Sequence, residues 1–170
     1  GKSYRIEMDF TTNDNQASLE LNLCRELPFD YAACAKKVKD ADVVIFVGGL
    51  STKLEGEEMP VELPGFKGGD RTDIELPNVQ RETIKALKAA GKKVIFVNCS
   101  GSAVALVPET QSCEAILQAW YGGEEGGAAV ADVLFGDYNP SGKLPITFYQ
   151  SMKQLPDFSS YSMKGRTYRY

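Results

Sequence analysis

Two apolar runs that do not alternate with polar residues, VVIFV at 43–47 and VIFV at 94–97, constrain this chain more than any other feature. A strand with one wet face alternates, whereas one that is apolar at every position is covered on both faces, as in parallel sheets. The first run ends at Gly48-Gly49 and is preceded by a helical pattern over 29–39. Between the runs a second helix starts after Pro77, passes through Ile84 and Leu87, and meets Gly91, a residue suited to a C-terminal cap. After a connection containing Pro108, residues 114–120 read as a third strand and 121–123 as a turn. Residues 124–135 then read as a helix with acidic residues favourably placed at its N-terminus, and 143–149 as a fourth strand. Strands alternating with helices at this spacing predict an α/β fold, a mainly parallel sheet with helices on both faces (an α/β sandwich) built with right-handed crossovers.

Ahead of this pattern, Tyr4, Ile6, Met8 and Phe10 alternate with polar residues, as do Ala17, Leu19, Leu21 and Leu23. A β-hairpin is expected there, and a two-stranded ribbon needs other structure to pack on. The expected organisation is therefore residues 1–25 as a hairpin, 26–155 as the sandwich and 156–170 as a tail. With 170 residues, 43% hydrophobic and 25% charged, the chain is long enough for one domain that buries roughly 70% of its unfolded surface. It starts Gly1-Lys2-Ser3-Tyr4, without an initiator Met or a signal peptide, so a piece of a longer protein is expected.

The net charge of −4 gives no basic surplus for nucleic acid or anionic membrane, and there is no apolar run of about 18 residues to cross a bilayer. Histidine is absent, which removes Ser-His-Asp triads, Cys-His pairs and His-containing zinc sites. Acid and base work must fall to carboxylates, Lys, Tyr or Cys. Cys24, Cys34, Cys99 and Cys113 have no C-x-x-C spacing and read as small buried residues. Gly122-Gly123-Glu124-Glu125-Gly126-Gly127 lacks dinucleotide-loop spacing, and residues 136–143 are one residue too long for a P-loop and are followed by Leu144. No Ca²⁺ loop pattern exists, so neither a metal nor a cofactor is expected.

In an open parallel sheet the crevice lies beyond the carboxyl ends of the strands, which selects the loops 48–77, 98–101 and 121–125. The first and longest carries Glu55, Glu57, Glu58, Glu62 and Asp70-Arg71. One reading is a solvated acidic loop. The other is that crowded carboxylates raise one another's pKa until one serves as a general acid. Residue chemistry by itself leaves both open.

The order of motifs adds a resemblance. VVIFVGG at 43–49 is followed by LEGEE at 54–58, GDR at 69–71 with LPNVQ at 76–80, and VIFVNCSG at 94–101. AILQAWYGGEEGG at 115–127, ADVLFG at 131–136 and NPSGKLPITF at 139–148 complete the series. This resembles the carboxy-terminal α/β sandwich domain of glycoside hydrolase family three, the β-glucosidases and β-xylosidases, from about Tyr31 to the end of the chain.

The resemblance implies a fragment of a retaining, exo-acting β-glycosidase acting on oligosaccharides. It implies a catalytic aspartate on a preceding (β/α)₈ barrel domain, absent here, and an acid/base glutamate on a loop of the sandwich. Matching an E-x-E-G-x-D-R-like stretch makes Glu57 the acid/base, with Glu55 and Glu58 as alternatives because residues 59–68 intervene before Asp70-Arg71. The hairpin resembles the end of a protective-antigen-type carbohydrate-binding insertion, and YSMKGRTYRY at 161–170 a linker to a fibronectin-like domain. A periplasmic or secreted location is implied as well. The competing classes are a non-catalytic sugar-binding or interdomain scaffold module and, disfavoured by the missing phosphate motifs, a flavodoxin-like nucleotide-binding domain.

Overall fold

The computed structural model describes residues 3–11, 13, 19, 21 and 27–166. Its first helix, α1 (Tyr31–Lys36), is started by Asp30, whose Oδ1 accepts the Ala33 N–H at 2.8 Å and satisfies a donor that a helix start leaves free. Strand β1 (Val43–Gly49) follows. The segment from there to Pro77, expected as one long loop, contains the short antiparallel strands β2 (Glu62–Leu63), β3 (Phe66–Lys67) and β4 (Asp70–Arg71). Helix α2 (Asn78–Ala89) begins at Pro77 and closes at Gly91, where φ is +76° and the Gly91 and Lys92 N–H groups bond back to Lys88 and Leu87. After it come β5 (Lys93–Cys99), α3 (Val107–Ser112), β6 (Ala115–Gln118) and α4 (Gly126–Phe135).

The main sheet has the order β1-β5-β6 and is parallel throughout, with Val43 opposite Lys93 and Ile95 opposite Ala115. The three segments expected to be neighbouring, buried parallel strands are neighbouring and parallel. Strand β1, however, is not covered on both faces: its Val43, Ile45 and Val47 side is left open, while β5 is buried between its two neighbours. Helices α1 and α2 lie over one face. There Phe96, Ile84, Leu76, Leu50, Phe66 and Val104 form the main core, with Phe46 and Ile116 packed against it. A second cluster joins Ala35, Leu87 and Val94. Removing an isoleucine or phenylalanine side chain such as Ile84 or Phe96 from water contributes about 1.5–3 kcal/mol, so these contacts fix the helix layer on the sheet. Across the opposite face stands α4. Between its Ala129, Val130 and Val133 and the sheet residues Val47, Val97 and Leu117 runs an apolar groove of about 880 Å³. Val43, Ile45 and Val47 are 45%, 43% and 65% exposed on that face.

Several elements differ from expectation for identifiable reasons. Residues 143–149 form no strand: Pro145 has no N–H to give a ladder, and Leu144 and Ile146 remain exposed. Pro108 does not mark a loop but sits in the first turn of α3, where a missing N–H costs nothing. Helix α4 starts at Gly126 rather than at residue 124. In the expected hairpin, residues 4–10 are not in a strand, and of the second arm only residues 19 and 21 are among the described residues. Cys34, Cys99 and Cys113 are half-buried free thiols, and Cys24 lies outside the described residues. Among the described residues no helix is long and apolar enough to cross a membrane.

Candidate functional site

The acidic loop leaves the end of β1 and turns back at once, because the N–H groups of Leu54 and Glu55 both donate to the Ser51 carbonyl at 2.8 and 3.1 Å. The turn is then clamped from the far side of the insertion. Gly56 N–H donates to the Gly69 carbonyl at 3.0 Å, and a Cβ on Gly69, whose φ is +90°, would stand 1.9 Å from the Gly56 oxygen. Only glycine permits that approach. Residues 59–68, which in the sequence separate the glutamates from Asp70-Arg71, fold into β2 and β3 and close on themselves through Met59 N–H to Gly68 and Gly68 N–H to Val61. The excursion therefore returns the chain to the place it left, with β4 beside the glutamate turn.

That return brings Glu55, Arg71 and Ser102 together. Ser102 Oγ lies 3.0 and 3.3 Å from the two carboxylate oxygens of Glu55 and donates to them. Arg71 Nη1 donates to the same Oγ at 3.0 Å and to the Ala103 carbonyl at 2.6 Å, while its Nη2 is buried without a partner among the described residues. Burial pushes the Arg71 guanidinium below its ordinary value, against the pull of Glu55, Asp73 and Glu75. Glu55 is half-buried; Glu57, Glu58 and Glu62 are exposed. Glu58 adopts φ +49°, uncommon for a side chain of its size.

Beneath these groups the ends of β5 and β6 carry a buried polar network. Asn98 Nδ2 donates to Gln118 Oε1 at 2.6 Å and to Ser100 Oγ at 3.1 Å, and Ser100 Oγ donates to the Ser102 carbonyl at 2.9 Å. Gln80 anchors the end of β1, since its amide both accepts from Gly49 N–H and donates to Gly49 O at 2.7 Å. From the third loop Tyr121 reaches over to donate to the Leu50 carbonyl at 3.1 Å. Ser102 has no distinguishing signal in the sequence, because a serine in a polar loop is unremarked until its partners are known. Gln118 does stand out as a polar residue ending an apolar strand. No cluster suited to a metal ion occurs among the described residues.

The geometry thus joins the loops after β1, β5 and β6 around one half-buried carboxylate. A family model described as the glycosyl hydrolase family 3 C-terminal domain matches residues 13–170. The chain belongs to this family. It is 63% identical, over its whole length, to a xylan 1,4-beta-xylosidase from Xylanibacter ruminicola, of which it covers 20%. It is 48% identical over 76% of its length to a periplasmic beta-glucosidase from Salmonella typhimurium, of which it covers 16%. Among solved structures, a β-glucosidase from Erythrobacter marinus superposes with a TM-score of 0.64 at 38% identity, over 75% of this chain and 16% of that one. A β-glucosidase from Listeria innocua in complex with gluconolactone also gives 0.64, at 29% identity, over 77% of this chain and 17% of that one. This family 3 domain therefore spans about a fifth or less of the relatives it matches.

Proposed function

We propose that this domain supplies the acid/base carboxylate of a retaining β-glycosidase, that Glu55 carries it, and that the nucleophile comes from a barrel domain of the same full-length protein. The supporting observation is that Glu55 is the glutamate of the turn whose carboxylate is held in place, by Ser102 beside Arg71. Residue order favours Glu57, but an exposed side chain must be immobilised at each encounter, whereas a positioned one starts near its working geometry. In the first step the nucleophilic carboxylate forms a bond to the anomeric carbon as the bond to the leaving oxygen breaks, and the Glu55 proton goes to that oxygen. In the second, water attacks the same carbon, its proton returns to Glu55, and the nucleophile leaves. β-Xylosides are the first substrates to test, because the 63% identical relative is named a xylosidase. Action in the periplasm or outside the cell is proposed on the strength of the Salmonella relative's name.

In the full-length protein, Glu55→Ala should slow hydrolysis of alkyl xylosides and xylobiose by about 10²–10⁴-fold. Aryl xylosides with good leaving groups should form the glycosyl-enzyme almost normally, and azide should then restore turnover as a glycosyl azide of retained configuration. If Glu57→Ala or Glu58→Ala shows this signature instead, the role moves to that residue. If none does, the loop is a scaffold.

A further inference from the structure

We infer that Ser102 is a positioning residue for Glu55, a hydroxyl placed between the carboxylate and Arg71 so that Glu55 is held in both of its protonation states. The inference rests on the acid/base role proposed for Glu55 and concerns how that role is supported. A hydroxyl has one proton to give and two lone pairs. Arg71 Nη1 occupies one lone pair at 3.0 Å, and the hydroxyl proton is left to the Glu55 carboxylate at 3.0 and 3.3 Å. No ion pair joins Arg71 directly to Glu55 among the described residues, although the guanidinium responds to that carboxylate's charge.

The chemistry explains why a hydroxyl suits this place better than the guanidinium itself. An arginine offers only donors, so a direct fork would grip the carboxylate and reject the carboxylic acid. The serine gives a single proton, so it can donate to the carboxylate and, once one oxygen is protonated, keep donating to the other, which leaves the acid proton free for the leaving oxygen. Its own position is fixed from two sides. Arg71 sits on β4, paired with Phe66, and also holds the Ala103 carbonyl at 2.6 Å. The Ser102 carbonyl is held by Ser100 Oγ, which receives Asn98 Nδ2 and Gln118 Nε2 from the ends of β5 and β6. Ser100 and Asn98 are both fully buried, so the hydroxyl is referenced to the sheet rather than to a loop.

The test compares Ser102→Ala, Ser102→Thr and Glu55→Ala in the full-length enzyme, reading kcat/KM over a series of β-xylosides whose leaving groups range from alcohols to dinitrophenol. Loss of a hydrogen bond to a charged group predicts that Ser102→Ala lowers kcat/KM for the poorest leaving groups on the order of 10- to 100-fold. Dinitrophenyl xyloside, which needs no proton, should react at nearly the native rate, and this also shows that the variant is folded. Ser102→Thr, which keeps the hydroxyl, should restore most of the loss. Equal loss across all leaving groups, or no loss, overturns the inference. If Glu55→Ala steepens the leaving-group dependence and Ser102→Ala does not, the positioning role alone falls. If Glu55→Ala does not steepen it, the acid/base reading falls and takes this inference with it.

Discussion

Single side chains here are governed by what lies within a hydrogen bond of them. The distinction between Glu55 and Glu57 depends on two such contacts, the donation of Ser102 Oγ to the Glu55 carboxylate and that of Arg71 Nη1 to the same hydroxyl. Neither leaves a mark in residue order, which is why a motif match points to the loop and not to the side chain. Cys113 gives a case where the neighbours decide reactivity. Burial, reinforced by Glu109 and Glu114 against the opposing pull of Lys88, pushes its thiol up to about 11. At pH 8.5 roughly three thiols in a thousand would then be ionised, against about half for an ordinary thiol. Iodoacetamide labelling read by peptide mass spectrometry should find Cys113 far slower than free glutathione at pH 8.5, with its rate still rising beyond pH 10. A rate that levels off near pH 9 would refute this. Because the folded thiol keeps its proton more tightly than the unfolded one, its contribution to stability is complete below about pH 9 and fades as the pH rises to about 11.

At the scale of elements, α2 and α3 are joined by charge rather than by apolar contact alone. Glu109, 1% exposed, takes Arg81 Nε at 2.8 Å, and the same guanidinium reaches Glu75 at 2.6 Å and the Ala105 carbonyl at 3.0 Å. Burial would push the Arg81 guanidinium down, but its bonds to Glu109 and Glu75 outweigh this and raise it. Removing one partner of a buried pair strands the other, so Glu109→Ala should destabilise this chain by about 3–5 kcal/mol. Arg81→Leu with Glu109→Leu should cost less than Glu109→Ala alone, because neither charge is then left unpaired. Urea unfolding followed by the fluorescence of the one tryptophan, Trp120, measures both. A loss below 1 kcal/mol for Glu109→Ala would show that the pair does not lock the helices. Strands β1 and β5 and helix α2 were legible because continuous apolar runs and 3.6-residue spacing are local signals. Strands β2 to β4 were not, since two-residue strands carry no period and exist only through their partners. Residues 143–149 misled for the converse reason, a stretch read as a strand that pairs with none among the described residues.

For the whole molecule, the acidic loop, the Ser100–Ser102 network and the third loop meet at one end of the sheet, while the far face of β1 remains open around Val43, Ile45 and Val47. The half-buried Glu55 at this end, on a domain spanning about a fifth or less of its relatives, supports the proposal that the domain completes a site shared with the rest of the full-length protein. Retaining hydrolysis needs two carboxyl groups roughly 5–5.5 Å apart on opposite sides of the bond, one to attack carbon and one to protonate oxygen. Glu55 is held by Ser102, and Glu57 and Glu58 are exposed on the same short turn, so no second carboxylate of this turn stands across a sugar from it. The isolated 170-residue chain should therefore show no turnover of aryl β-xylosides or β-glucosides, even of dinitrophenyl glycosides, which need no acid. Those activated substrates make the test sharp, because they remove the need for Glu55 and ask only whether a nucleophile is present. Reproducible dinitrophenol release by the pure chain, abolished by replacing a carboxylate within it, would place the nucleophile in this domain and end the division of labour proposed for the full-length protein.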